Sequence, residues 1–284
     1  MTYKKSLPLF KKKSSRTSEK TRRGFSEKSL EKIWLYGIHP VMSALKNKNR
    51  IHERLLILKK NASSLITLLE QTYPGLLTHL VYELVDEDTL HRNISKDALH
   101  QGLALFTSRL PEISLDVFLE NALGPQTLLC LDHVVDPQNV GAILRSAAAF
   151  GIDGLCLTER HSPPLTGALA KAASGALEIT PLFFLKNIAQ SLELLKKKDF
   201  WCLGLDDQAL QTLSSVSLPE RLVFVLGSEG EGLRRLTRER CDLLVKIPTS
   251  PLFPVLNVSV SAAICLYEAQ RQTSEPLSTP LREL

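Results

Sequence analysis

Residues 222–268 hold two places where polar side chains follow apolar runs, and a third place lies upstream. The run Leu222–Leu226 ends at Gly227, and an acidic glycine loop follows with Glu229, Gly230, Glu231 and Gly232. A second apolar run reaches Ile247-Pro248, and Leu256-Asn257 then opens a helix of small residues. In open α/β sheets ligands bind beyond the carboxyl ends of the strands, so two such junctions predict one ligand held between two loops. The loop is not a phosphate cradle. A Walker loop needs Lys-Ser/Thr after its last glycine, whereas Leu233-Arg234 stands here. The third glycine of a dinucleotide fingerprint is also missing, and two glutamates repel a polyphosphate. The chemistry that fits is a neutral or cationic ligand; the plainer alternative is an ordinary turn with solvated glutamates. Upstream, Arg145 is the one charged side chain between Asn139 and Gly151. A lone Arg there invites an anion, or else a salt bridge to a neighbour.

The elements that must position these residues follow from periodicity. Residues 127–134 form an almost continuous apolar run, as buried parallel strands do. Asn139 is the expected N-cap of the helix that follows, and Gly151 its stop. Further strands are expected at 154–158, 181–185, 200–206 and 222–227, with helices at 166–178, 188–198 and 259–270. Their alternation predicts an α/β domain with a mostly parallel sheet covered on both faces. Ahead of it, a strand or turn at 34–37, a helix started by Pro40, strands at 54–60, 80–85 and 100–108, and a helix at 63–72 make a small α/β domain. His39 and His100 could touch a substrate there, although lone histidines beside turns are more often structural. The expected organisation is an arm (1–32), a small domain (33–108), a linker with one helical turn (109–124), a larger domain (125–272) and a polar tail (273–284).

Charge separates the arm from the rest. Of the net +5, residues 1–33 carry eleven Lys and Arg against three Glu, so the remainder is mildly acidic. A basic, serine-rich arm without apolar periodicity reads as a contact for RNA phosphates, or as a solubilising extension. Five cysteines without a CxxC pair, four of them inside apolar runs, predict reduced buried thiols of a cytoplasmic protein, with no zinc site. No apolar run approaches the ~18 residues of a membrane span, and no signal-peptide pattern is expected.

Three blocks, taken together, resemble the SpoU branch of the SPOUT RNA methyltransferases: Asn139–Ala147 (NVGAILRSA), Leu226–Leu233 (LGSEGEGL) and Leu256–Ala263 (LNVSVSAA). Gly37–Val41 and His100-Gln101-Gly102 resemble the L30e-like substrate-binding domain of the RlmB-type subgroup, which methylates a guanosine ribose in large-subunit (23S) ribosomal RNA. The resemblance implies a deep C-terminal trefoil knot, a homodimer built around it, and S-adenosylmethionine bound at Gly227, Ile247 and Leu256. It implies that Arg145 acts on the target phosphate and hydroxyl, with Asn139, Glu229 and Asn257 positioning Arg145, substrate and cofactor. No metal is implied. A sulfonium cation also accounts for the acidic loop.

In one place the chain departs from the family. Val255 stands where a serine is usual, and Pro251 and Pro254 stiffen the loop before it. Two alternatives therefore stay beside the ribosomal reading: a transfer-RNA ribose methyltransferase of the TrmH type, and a non-catalytic RNA-binding or ribosome-assembly factor that keeps the fold.

Overall fold

The computed structural model describes residues 31–273. The expected arm and tail therefore lie largely outside the described residues. The small domain has four strands: β1 (Lys32–Tyr36), β2 (His52–Leu58), β3 (Tyr82–Val85) and β4 (Leu103–Ser108), in the order β1-β4-β2-β3. Its pairings are antiparallel except β2 with β3. Helices α1 (Ile38–Lys46), α2 (Ala62–Thr72), α3 (Leu76–His79) and α4 (Glu87–Asn93) cover it. Alternation on the strands divides the faces. Leu35, Leu55, Ile57 and Leu105 face one core, while Leu56, Leu58 and Ala104 face α4 through Leu90.

The larger domain is a seven-stranded parallel sheet in the order β7-β6-β5-β10-β8-β11-β9. These strands are β5 (Gln126–Asp132), β6 (Gly154–Thr158), β7 (Leu182–Leu185), β8 (Trp201–Leu205), β9 (Gln211–Thr212), β10 (Arg221–Gly227) and β11 (Leu243–Lys246). The apolar runs of β5 and β10 pair in register from Arg221↔Gln126 to Gly227↔Asp132. Period two splits them between two cores. Leu129, Leu131, Phe224 and Leu226 pack under α6 (Pro137–Ala149) and α10 (Val258–Gln272). Leu128, Cys130, Val223 and Val225 pack under α5 (Leu115–Asn121) and α8 (Ile188–Lys196). Burying each such side chain contributes roughly 1.5–3 kcal/mol, which explains near-continuous apolar strands. The five thiols are unpaired and all but Cys241 are buried.

The segment expected as a linker contains α5, whose Leu115 and Leu119 are buried on the large sheet. The expected helix 166–178 is shorter: α7 covers Gly167–Ala173, and Ser174 and Gly175 take left-handed backbone before a 3-10 turn at Ala176–Glu178. A Cβ on Gly175 would lie 2.2 Å from Ser43 Oγ of the small domain, so the chain passes α1 here with glycine at the closest approach. The 3-10 turn then presents Glu178 to Arg50. Arg50 Nε and Nη2 donate to Glu178 Oε2 and Oε1, each at 2.8 Å, and Asn47 Nδ2 donates to Oε2 at 2.9 Å. Both side chains of the pair are almost wholly buried, at 1% and 6% exposure. Beside α7, Gln101 Oε1 accepts from Ile38 N at 3.1 Å and from Lys171 Nζ.

Candidate active site

The carboxyl ends of β5, β10 and β11 carry the three motif segments. At β10, Gly227 lies against its own loop: a Cβ there would sit 2.0 Å from the Gly232 carbonyl carbon. Gly230 and Gly232 have φ of +88° and +68°, and Gly232 N donates to Ser228 O at 3.0 Å, closing the turn. These glycines are required by close approach and by left-handed backbone. After β11, residues 247–257 run back past the end of β8 to the β10 and β5 side. Val255 is 71% exposed on this loop, and Thr249 Oγ1 donates to Pro254 O at 3.2 Å.

The three segments meet through side chains. Asn257 Nδ2 donates to Glu229 Oε1 at 2.8 Å and to Asn139 Oδ1 at 3.0 Å. Asn139 Nδ2 donates to the same Glu229 oxygen at 3.1 Å, and Val258 N approaches it at 3.4 Å. Asn257 also caps α10, its Oδ1 accepting from Ser259 N at 2.8 Å. A carboxylate at a helix N-terminus is favourable because the first amides there lack partners. The expected N-cap at Asn139 is corrected. Asp136 caps α6 by accepting from Gln138 N at 2.9 Å, so Asn139 lies one turn inside with its amide free for Glu229 and Asn257.

Arg145 is not brought to this cluster. It is exposed, and among the described residues it has no hydrogen-bond or ion-pair partner, so the salt bridge considered for it is absent. Six residues along a helix are about 9 Å of rise and a turn of roughly 240°, which separates it from Asn139's face. Gly227 lies two residues before Glu229, Leu256 directly precedes Asn257, Ile247 directly follows β11, and each is half-buried.

Asp132 was not singled out by the sequence. It is fully buried at the end of β5, opposite Gly227, and accepts from Arg234 Nε at 2.7 Å and Arg234 N at 3.3 Å. This ion pair fixes the far end of the glycine loop. A charge ending an apolar run, with arginines beginning the basic helix α9 (Arg235–Arg240), was its only trace in sequence. His133 follows, stacked on His161 at 4.5 Å between ring centroids. Burial and the Arg234 guanidinium push His133 below the usual histidine range.

The fit to a sulfonium cofactor rests on Gly227 and its turn. The cradle has no side chain at its base, it offers backbone groups, and its carboxylates match a cation. One group of possible metal ligands exists elsewhere among the described residues, at Glu87, His91 and His100 of the small domain. His100 Nδ1 accepts from Gly102 N at 3.0 Å, which leaves the proton on its other nitrogen, and Lys60 Nζ holds Glu87 Oε2 at 2.9 Å. This accounts for His100 structurally.

Two family models match. Residues 126–267 match the SpoU rRNA Methylase family, and residues 34–112 match the RNA 2′-O ribose methyltransferase substrate binding domain. The chain belongs to the SpoU rRNA methylase family. It is 39% identical over 247 residues to the 23S rRNA (guanosine-2′-O-)-methyltransferase RlmB of Nitrosomonas europaea, covering 85% of this chain and 92% of that protein. It is 36% identical to the RlmB of Escherichia coli, covering 84% and 98%. Its fold matches the SpoU methyltransferase AviRb from Streptomyces viridochromogenes, solved with AdoMet, with a TM-score of 0.72 at 20% identity, covering 91% and 94%.

Proposed function

We propose that this chain transfers a methyl group from S-adenosylmethionine to the ribose 2′-hydroxyl of a guanosine in large-subunit ribosomal RNA. The reading is supported by family membership over both domains and, most directly, by the Asn139–Glu229–Asn257 contact that locks three motif segments into one site. The folded small domain favours ribosomal over transfer RNA. When bound, the cofactor supplies a methyl already activated on a sulfonium sulfur, so the protein's work is alignment and charge. Gly227, Ile247 and Leu256 hold the cofactor largely through backbone groups. Asn139, Glu229 and Asn257 fix the loops that carry these contacts. Alignment of this kind supplies about 7–11 kcal/mol where the geometry is good. Arg145 stabilises charge developing on the ribose oxygen and neutralises the adjacent phosphate. A guanidinium is a poor proton acceptor, so its part is electrostatic. Purified chain, methyl-labelled cofactor and RNA test the reading. Label is expected in large-subunit ribosomal RNA. Label in transfer RNA instead would establish the TrmH-type alternative, and label in neither would favour the assembly factor.

The same reading includes a deep trefoil knot, an L30e-like small domain, a cytoplasmic location and a homodimer. The knot is supported by the return of residues 247–257 from β11 past β8 to Asn139 and Glu229; knotted chains are exceptions to the usual rule. Unpaired, mostly buried thiols support the location. Among the described residues no helix is long and apolar enough to cross a membrane. The dimer is supported by an open groove between α6 and α10, lined by Ala142, Ser146, Val260, Ala263 and Tyr267. Val260 and Tyr267 are 46% and 58% exposed there, and a two-fold dimer is the commonest way to cover such a face. Arg145 adjoins Ser146, so a second copy in the groove would flank it. Light scattering at micromolar concentration should give twice the chain mass; the monomer mass alone would remove the dimer.

A further inference from the structure

The small-domain sheet has one face only partly covered by α4. In register across it, Tyr36, Ala104, Leu56 and Glu83 form one row, and Trp34, Phe106 and Arg54 form the next. Helix α4 packs its buried Leu90, together with Ile94, on Leu56, Leu58, Val85 and Ala104. Trp34 and Phe106 are half-buried, with ring centroids 4.9 Å apart and planes tilted by 32°. Trp34 packs at the edge of the α4 cluster, whereas Phe106 belongs to none of the buried clusters. The Arg54 guanidinium lies 5.5 Å from the Trp34 ring centroid, tied to Glu83 by one long contact of 3.5 Å.

We propose that the row Trp34–Phe106–Arg54 is a stacking platform for unpaired bases of single-stranded RNA. Sequence-specific RNA contacts are made to unstacked bases that lie on aromatic rings or guanidinium planes, and a sheet face with adjacent aromatics serves this purpose in other folds. Here the three strands deliver two π-faces and a cation side by side. Arg54 covers the indole where a base would lie, and its single long contact to Glu83 lets it move to the base's other face. The position is continuous with the methylase domain. A Cβ on Gly167 would lie 2.5 Å from the Trp34 carbonyl oxygen, so the start of α7 abuts β1 beside the platform. An RNA strand stacked here leads to α7 and the adjoining loop at the carboxyl end of β6. The platform rests on the reading that RNA is the substrate, and it adds an affinity term independent of phosphate neutralisation.

The chain has two tryptophans, Trp34 and Trp201, so Trp201→Phe leaves the platform indole as the sole reporter. An unstructured, dye-labelled A/C 12-mer ribonucleotide is titrated into that variant, reading dye anisotropy for binding and indole fluorescence for stacking. The expected result is saturable quenching that tracks the anisotropy. Phe106→Leu, which keeps apolar cover, should weaken binding roughly tenfold, as loss of one base stack does, with the salt slope of binding and the affinity for S-adenosylmethionine unchanged. A rise in anisotropy with no quenching would overturn the platform and leave RNA binding intact. Flat anisotropy with this 12-mer also removes the platform as an unpaired-base site, and the separate labelling of native ribosomal RNA then decides the substrate reading. If Phe106→Leu binds the 12-mer like its parent, the aromatic row is only a cover.

Discussion

Arg145→Ala should lower single-turnover methyl transfer by a factor on the order of 10²–10³, as loss of one donor to developing charge does. The structure sharpens this expectation. Because Arg145 is exposed and without a hydrogen-bond or ion-pair partner among the described residues, its removal breaks no such contact among them. Surface changes of that kind move stability by about ±0.5 kcal/mol or less. Turnover and thermal stability should therefore separate cleanly. Affinity for S-adenosylmethionine should also hold, since Gly227, Ile247 and Leu256 lie on other segments. Arg145→Lys should recover little, because an ammonium cannot reproduce the planar fork on a phosphate. Wild-type single-turnover rates in Arg145→Ala would remove Arg145 from the mechanism.

The second large effect concerns how the domains are held. Arg50 and Glu178 form a bidentate, almost wholly buried pair, and Arg50 Nη1 also donates to Ser108 O at 2.5 Å. Arg50→Ala strands the Glu178 carboxylate, and breaking such a pair costs about 3–5 kcal/mol. At roughly 2–4 °C per kcal/mol for a chain of this size class, the melting midpoint should fall by about 6–20 °C. The paired change Arg50→Met with Glu178→Leu should lose much less, because neither charge is then left unpaired. A midpoint for Arg50→Ala within 2 °C of the parent would show that the domains do not depend on this contact. A cavity of about 310 Å³ lies beside the pair, lined by Arg109, Ile113, Pro164 and Phe184.

Much of this was legible because it is local. Apolar runs of β5 and β10 announce strands buried on both faces, and their alternation is what divides the two cores. The glycine-acid loop and Asn257 could be read as one site because each follows a strand end in a parallel sheet, and Asn139 joined them only through the family resemblance. Three things could not be read. Asn139 looks like a cap, yet Asp136 with Pro137 behind it starts the helix earlier; both residues are good caps, and tertiary contact with Glu229 decides. Helix 166–178 has helix-favouring composition, yet left-handed backbone at Ser174 and Gly175 ends it at Ala173, beside Ser43 of the small domain. Arg50, Glu178, Asp132 and Arg234 are partners from segments 102 or more residues apart, which no periodicity connects. Val255 is the opposite case. The sequence marks it as a departure, and the structure places it, exposed, on a loop that its neighbours hold without it.

The central claim is tested most directly by where the methyl group goes. Large-subunit ribosomal RNA labelled by the purified chain is digested to nucleosides and separated. Label at 2′-O-methylguanosine is the expected result. Label on a nucleobase would contradict the account, as would a native substrate left unlabelled with saturating cofactor.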